Sequence, residues 1–252
     1  MLTFKNKTVM EKNIKKAVLT LLSFAVSVSL FAQDANTILK KLDQVMYSPK
    51  DMQAKNSIIL IDKNGKQEVR EADVIQKGTD KRLMRFTSPA SQKGIAVLSL
   101  PNDVMYLYLP AFGKERRISS SVKNQNFAGT DFSYYDMEAK PFTEKFGAKM
   151  INQEANAYVL ELTPKTNSDY SKIIAKIHKT NYYPLSMEYY DKGNNKIKTA
   201  KYTFKKIGNY WNASEIEMKD LRKNHTTKMK MTEVKYDQGL SDDKFTVRAL
   251  KQ

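Results

Sequence analysis

The chain has 252 residues and no cysteine, and its 43 lysines and arginines outnumber its 27 aspartates and glutamates, which gives a formal net charge of +16. The length is sufficient for one or two domains with an apolar core. Without cysteine, disulfides, thiolate metal sites, a cysteine nucleophile and a lipid-modified N-terminal cysteine are excluded. The excess of positive charge favours contact with anionic surfaces such as lipid headgroups.

The N-terminus has the three-part plan of a secretory leader. Three lysines within residues 12–16 precede an uncharged run over residues 17–32, and polar residues follow. The run is shorter than the roughly 20 residues that a membrane-spanning helix needs. We therefore predict a signal peptide at residues 1–32, cleaved near Ala32, and one exported domain at residues 33–252. Export without cysteine favours a bacterial periplasm, where nucleic acid is not an expected partner.

The first element of the exported domain is an amphipathic helix. Within residues 35–47, the apolar side chains of Ile38, Leu42 and Val45 fall on one stripe, with lysines opposite. Ser48-Pro49 ends the helical pattern. We expect this helix to pack through its apolar stripe.

The rest of the chain is dominated by alternation of apolar and polar residues, which is typical of β-strands. Eleven such runs follow one another with turn residues between them, and a second short helix is expected at residues 141–150. The runs lie at residues 57–62, 71–78, 81–89, 95–100, 104–110, 157–164, 172–180, 184–191, 197–207, 214–220 and 227–237. The pattern predicts a mainly β fold with one large antiparallel sheet, which has to curl, close or split because it is so wide.

Three stretches of the exported domain resemble the LolA-like outer-membrane lipoprotein-sorting proteins of bacterial periplasms. They cover residues 88–137, 183–221 and 234–246, and the most specific part is "GTDFSYYDM" at residues 129–137. The resemblance implies a single curved antiparallel sheet that forms an incomplete, half-open barrel covered by a few helices. It also implies an apolar cavity for the acyl chains of lipids or lipoproteins, with an inner-membrane exporter and an outer-membrane acceptor as partners.

The residue inventory argues against catalysis. Only His178 and His225 are available, and neither lies in a motif with metal-ligand spacing. The sequence contains no G-x-S-x-G, P-loop or G-x-G-x-x-G arrangement. We therefore expect no catalytic residue, no metal and no cofactor.

An apolar lining can be read from the strands. Methionines alternate regularly on several of them, and methionine adapts well to a flexible apolar ligand. The alternative is an ordinary core that happens to use methionine. The predicted lipid-cavity lining consists of Met105, Leu107, Leu109, Met187, Tyr189, Trp211, Ile216, Met218, Met229 and Met231.

Two arginines next to this lining allow two interpretations. Arg116 and Arg117 are adjacent in a strand, so only one of them can face inward. The inward arginine could pair with Asp131 or Asp136 and brace the long loop between them, or it could contact a lipid phosphate or carbonyl.

The "GTDFSYYDM" segment is expected to form a turn. Gly129–Asp131 would anchor the aromatic side chains of Phe127, Phe132, Tyr134 and Tyr135 over the mouth of the cavity. Strand, arginine brace and aromatic loop would then form one wall and the rim of a hydrophobic pocket.

These observations predict a monomeric periplasmic carrier that is not an enzyme. It would bind acyl chains of lipoproteins or lipids in its cavity and move them toward the outer membrane, in transient contact with an anionic membrane surface. The alternative is a non-enzymatic adaptor that docks on an envelope lipid exporter and has a solidly packed interior.

Overall fold

The computed structural model describes residues 35–251, so the expected leader lies outside the described residues. Thirteen strands and three short helices make up most of this region. The helices are α1 (35–46), α2 (Tyr134–Met137) and α3 (Phe142–Lys145). The strands are β1 (Asp51–Ile61), β2 (Gln67–Lys77), β3 (Lys81–Ser88), β4 (Ala96–Leu100), β5 (Val104–Leu109), β6 (Lys114–Arg117), β7 (Phe146–Gln153), β8 (Ala157–Pro164), β9 (Tyr170–His178), β10 (Pro184–Asp191), β11 (Lys196–Ile207), β12 (Tyr210–Asp220) and β13 (His225–Tyr236).

All thirteen strands belong to one antiparallel sheet. Its order is β6-β5-β4-β3-β2-β1-β13-β12-β11-β10-β9-β8-β7. Strands that are consecutive in sequence therefore pair, except β6 and β7, and β1 also pairs with β13. The edges β6 and β7 are not paired with each other, and the barrel therefore stays open. The predicted mainly β, half-open architecture is confirmed. None of the helices in residues 35–251 has the length and apolar character needed to span a membrane.

One strand and one helix differ from the sequence-based expectation. The strand expected to contain Arg116 and Arg117 is the edge strand β6, whereas the edge strand β7 was not predicted and the helix expected at residues 141–150 is wrong beyond Lys145. Phe146 is buried at the start of β7, and Ala148 and Met150 follow it at strand spacing and are half-buried. Pairing with β8 satisfies the backbone of this segment, and that pairing overrides its helical pattern.

Helix α1 covers one side of the half-barrel, as its apolar stripe predicts. Ile38 and Leu42 are buried in the main hydrophobic core. Asp43 faces the start of α3, where its carboxylate accepts hydrogen bonds from the backbone N–H groups of Phe142 at 2.7 Å and Thr143 at 2.9 Å. This contact caps α3 and fixes α1 against it.

The outer face of β3, β4 and β5 is also covered. Leu240, Phe245 and Leu250 of the C-terminal segment form a second, smaller hydrophobic core on that face, and Tyr106 packs against it. On the opposite face of β5, Met105 is buried in the main core. Both faces of β5 therefore pack against a hydrophobic core.

One end of the half-barrel is filled by the segment that connects its two edges. We call residues 122–133 of this segment the plug loop. Phe127 is buried and its ring stacks on Phe86 of β3, with 5.6 Å between the ring centroids. Ala128 and Gly129 both have positive φ angles, +47° and +77°, which forms the tight turn at the tip of the loop. The opposite end, near the β11–β12 hairpin, is the open end.

Candidate functional site

A cavity of about 230 Å³ lies between the inner face of the sheet and the helices. Its wall is rich in methionine: nine of the ten methionines among residues 35–251 line it. They are Met46, Met52, Met84, Met105, Met137, Met187, Met218, Met229 and Met231. Methionine has a flexible, polarizable side chain, so this wall can adjust to ligands of different shape.

The structure places eight of the ten residues predicted as lining beside this cavity. They are Met105, Met187, Tyr189, Trp211, Ile216, Met218, Met229 and Met231. Leu107 and Leu109 do not line it. These two leucines share a face with Met105 but lie further along β5, where they pair with Arg116 and Lys114 of the edge strand.

The deeper wall is apolar even around its tyrosine hydroxyls. The hydroxyl groups of Tyr189 and Tyr202 donate to the sulfur of Met187, at 3.6 and 3.4 Å, and a thioether is a weak acceptor. Burial raises the pKa of Tyr202 to about 12. Both observations indicate surroundings that solvate an alkyl chain better than an ion.

Charged groups of the cavity lie near α2 and α3, and they have protein partners. Lys145 is only 7% exposed, and its ammonium donates to the carbonyl oxygen of Tyr135 at 2.5 Å. Burial lowers the pKa of Lys145 to about 8, and the charges of Glu138 and Asp136 oppose that shift. Glu138 itself pairs with Lys123 at 2.5 Å. This side of the cavity therefore carries a compensated set of charges.

The two predicted arginines do not brace the plug loop. Arg116 lies over the ring of Phe112, 5.2 Å from its centroid, at the β5–β6 hairpin. Among the described residues, neither Arg116 nor Arg117 contacts Asp131 or Asp136 through a hydrogen bond or ion pair. The reason is position: β6 is a short edge strand, and both arginine side chains are exposed on it.

The two aspartates are nevertheless held tightly at the closed end. Asp131 is 1% exposed, and its Oδ2 lies 2.7 Å from His225 Nδ1 and accepts a hydrogen bond from the Thr227 hydroxyl at 2.7 Å. Asp136 caps α2 through Ser133 and accepts a hydrogen bond from the Tyr170 hydroxyl at 3.0 Å. Both carboxylates are thus satisfied by groups that sequence reasoning did not assign to them.

Lys198 and Arg70 take the bracing role that was predicted for Arg116 and Arg117. Lys198 is 2% exposed, donates to the backbone oxygen of Asp131 at 2.7 Å and lies 3.8 Å from the Asp136 carboxylate. Arg70 donates to the carbonyl oxygen of Ala128. One signal was available: Lys198 occupies the strand face that Ala200 and Tyr202 continue, where alternation predicts an apolar residue.

The aromatic residues of the "GTDFSYYDM" region divide between the two ends. Phe132 and Tyr135 line the cavity. Phe127 and Tyr134 do not; they pack edge to face at 5.6 Å within the closed end, and burial raises the pKa of Tyr134. The loop therefore forms the floor of the cavity, whereas the sequence predicted a position over its mouth.

The rim of the open end is aromatic and basic. Phe204 and Trp211 line the cavity there, and Tyr183 stacks on Phe204 at 4.5 Å and lies 5.0 Å from Trp211. Lys205 and Lys206 are exposed on the same β11–β12 hairpin. Aromatic rings next to lysines are typical of surfaces at a membrane–water interface.

Within residues 35–251, no three His, Asp or Glu side chains are grouped so as to hold a metal ion. The close pair of Asp131 and His225 lies at the closed end, and neither residue lines the cavity. The arrangement can bind and enclose an apolar molecule.

Comparisons with known proteins agree with the fold. A family model described as "-like: Uncharacterized protein" matches residues 78–252. A domain from Vibrio parahaemolyticus, described as an outer membrane lipoprotein-sorting protein domain, superposes with a TM-score of 0.81 at 26% identity, over 88% of this chain and 100% of that one. A DUF1329 family protein from Desulfovibrio piger gives 0.81 at 26% identity, over 87% and 99%. A LolA superfamily protein from Nitrosomonas europaea gives 0.72 at 23% identity, over 84% and 97%. No curated protein matches.

Proposed function

Because the chain belongs to the family whose model it matches and has the LolA-like fold, we propose that it is a periplasmic carrier of acyl chains. It would bind the chains of lipids or lipoproteins in its cavity and move them toward the outer membrane. The observation that carries this proposal is the wall with its nine methionines inside a half-open barrel.

The energetics of the cavity favour a long alkyl ligand. Burying one CH₂ group contributes about 0.8 kcal/mol, so a chain of many such groups gains several kcal/mol beyond the entropy it loses. An apolar cavity of about 150 Å³ already accepts a benzene-sized molecule, and this one measures about 230 Å³. Methionine side chains can rotate to lengthen it.

The predicted leader supports the proposed periplasmic location. The lysines before residue 17 and the uncharged run over residues 17–32 fit a cleaved leader. The structural neighbour from Vibrio parahaemolyticus is described as an outer membrane lipoprotein-sorting protein domain. We extend a sorting role, without catalysis, to this chain as part of the proposal.

Loading and unloading would take place at the open end. Trp211 and Phe204 would sit at the headgroup level of a bilayer while Lys205 and Lys206 meet anionic headgroups. The cavity behind Trp211 would then face the membrane directly. An exporter in the inner membrane and an acceptor at the outer membrane are the partners that this geometry suits.

The proposal is tested by binding of palmitate to the purified mature protein. Met231→Glu places a charge in the cavity wall and is expected to reduce palmitate affinity at least tenfold, since an uncompensated carboxylate is poorly solvated there. Met150→Glu is the matched control, because Met150 is the one methionine of residues 35–251 outside the lining.

Palmitate affinity that survives Met231→Glu unchanged would contradict the proposal. No measurable binding of palmitate to the wild type would also contradict it and would favour an adaptor without a lipid ligand. Thermal unfolding of both variants separates loss of binding from loss of fold.

A further inference from the structure

Two asparagine side chains interrupt the apolar wall of the cavity. Asn56 on β1 is 2% exposed, Asn212 on β12 is 3% exposed, and both line the cavity. Asn56 occupies the strand face that Ile58 and Leu60 continue, and both of these are buried apolar residues. Asparagine is unfavourable in strands and costly to bury, so its presence in this register requires a reason.

Neither amide is fully satisfied by the protein. Among the described residues, Asn56 Oδ1 and Asn212 Nδ2 have no hydrogen-bond partner although both atoms are buried. The hydroxyl of Tyr236 donates to Asn212 Oδ1 at 2.9 Å, which orients that amide and leaves its Nδ2 unpaired. Buried side-chain amides are hydrogen-bonded in the large majority of native proteins. The missing partners are therefore expected to come from outside the chain.

Other polar groups of the cavity contrast with these two. The Asp51 carboxylate accepts hydrogen bonds from the backbone N–H groups of residues 238–240, at 2.8 to 3.0 Å. The Ser99 hydroxyl oxygen accepts one from the N–H of Ala139 at 3.1 Å. The third unpaired buried atom is the hydroxyl of Tyr135, a residue that also borders a separate polar cleft. Among the described residues that line the cavity, the buried atoms without a partner are therefore those of the two asparagines and the Tyr135 hydroxyl, and only the asparagines lie on the sheet wall.

We infer that Asn56 and Asn212 form a polar subsite for a neutral group on the acyl ligand that both donates and accepts a hydrogen bond. A secondary amide and a hydroxyl have this chemistry. Asn56 Oδ1 accepts from the group and Asn212 Nδ2 donates to it. An ester offers only acceptors and leaves Asn56 Oδ1 unpaired. This inference rests on the proposed acyl-binding function.

The placement of the two residues suits a shared ligand. Strand β13 lies between β1 and β12, and its Met231 pairs with Asn56 in the sheet. Both asparagines therefore approach the cavity from the same curved wall, with an apolar methionine between them. The last torsion of an asparagine side chain is broad, so the Asn56 amide can adjust toward a ligand, while the Tyr236 hydroxyl holds the Asn212 amide in place.

The test compares three probes that share one alkyl chain. Methyl palmitate supplies only acceptors, methyl 3-hydroxypalmitate adds a hydroxyl, and N-methylpalmitamide supplies a secondary amide. The wild type is expected to bind at least one of the latter two about tenfold more tightly than methyl palmitate, the gain of one well-placed hydrogen bond. The probe that binds more tightly shows whether the polar group on the natural ligand is a hydroxyl or a secondary amide.

Variants assign the gain to the subsite. Asn56→Leu and Asn212→Leu are expected to abolish the preference while methyl palmitate binds as well as before or better. The control Met150→Leu, at a half-buried position outside the lining, is expected to keep the preference. The comparison of the three probes on the wild-type protein tests the subsite even if a variant fails to fold.

The outcomes distinguish failure of the asparagine subsite from failure of the proposed acyl-binding function. If all three probes bind the wild type equally, or if the preference survives both asparagine variants, the subsite is overturned and the acyl-binding function stands. If none of the probes and no palmitate binds, the proposed function fails, and the subsite inference fails with it.

Discussion

The two ends of the half-open barrel are built from different interactions. At the closed end, the plug loop is fixed by specific polar contacts, among them Lys198 to Asp131 and Thr227 to Asp131. At the open end, the wall consists of methionine and aromatic side chains around a cavity. One sheet therefore joins a region fixed by paired polar groups to a region lined by flexible apolar side chains.

The comparison shows how one domain can combine a fixed region with an adaptable one. Buried polar networks fix one geometry because each group needs its own partner. Methionine-rich surfaces contribute transfer free energy but impose little geometry. We infer that folding stability is concentrated at the closed end and ligand accommodation at the open end, and the predictions below test that division.

The largest effect is expected from Lys198→Met at the closed end. The substitution keeps most of the side-chain volume but leaves the buried Asp136 carboxylate without its cation and the Asp131 carbonyl without its donor. Breaking such a pair costs about 3–5 kcal/mol of unfolding free energy. Urea denaturation measures it.

Lys201→Met is the matched control, because Lys201 is exposed three residues further along β11. It is expected to change the unfolding free energy by less than about 0.5 kcal/mol. Equal losses of unfolding free energy in the two variants would contradict the inference that stability is concentrated at the closed end.

A smaller, pH-dependent effect is expected from Lys145→Met, where the charged side of the cavity meets α3. Burial lowers the pKa of Lys145 from 10.5 to about 8. Between these values the folded protein has released the proton that the unfolded chain still holds, so the unfolding free energy of the wild type rises with pH relative to the variant. The total rise is about 3 kcal/mol.

The measurement is the difference in unfolding free energy between wild type and Lys145→Met at pH 7 and at pH 10.5. Lys149→Met, at an exposed position on β7, is expected to show no such change. A difference that stays constant with pH would contradict burial of a charged lysine beside the cavity.

The smallest effect is expected from Gly129→Ala at the tip of the plug loop. The φ angle of Gly129 is +77°, and a residue with a Cβ atom pays about 1–2 kcal/mol in this region. Gly147→Ala is the control, since Gly147 has no positive φ and its added Cβ would make only ordinary contact at 3.9 Å. Thermal unfolding that ranks Gly147→Ala as the more destabilising change would show that the plug loop is not rigid.

Much of the apolar cavity wall could be predicted from the sequence. Alternation alone indicated that Met187, Met218, Met229 and Met231 face one side of the sheet, because the strand period is two whatever the tertiary fold. The position of the cavity along β5 could not be read in this way. Alternation assigns Leu107 to the same face as Met105 but does not say where the wall ends.

The polar contacts of the closed end could not be predicted in this way, because they join segments that are far apart in the sequence. Asp131 lies 96 positions from Thr227 and 67 from Lys198, and no local pattern encodes such pairs. Proximity in sequence suggested Arg116 or Arg117 as the partner instead. The informative signal was a polar residue in an apolar register, which marks both Lys198 and Asn56, the first in the closed end and the second in the cavity.

Native mass spectrometry of the protein, isolated from the cell envelope without detergent, tests the central claim most directly. The account predicts a chain that begins near Gln33 and carries the extra mass of an acyl-bearing lipid, which Met231→Glu loses and Met150→Glu keeps. A chain without bound lipid that also fails to take up palmitate, or one that still contains residues 17–32, would contradict it.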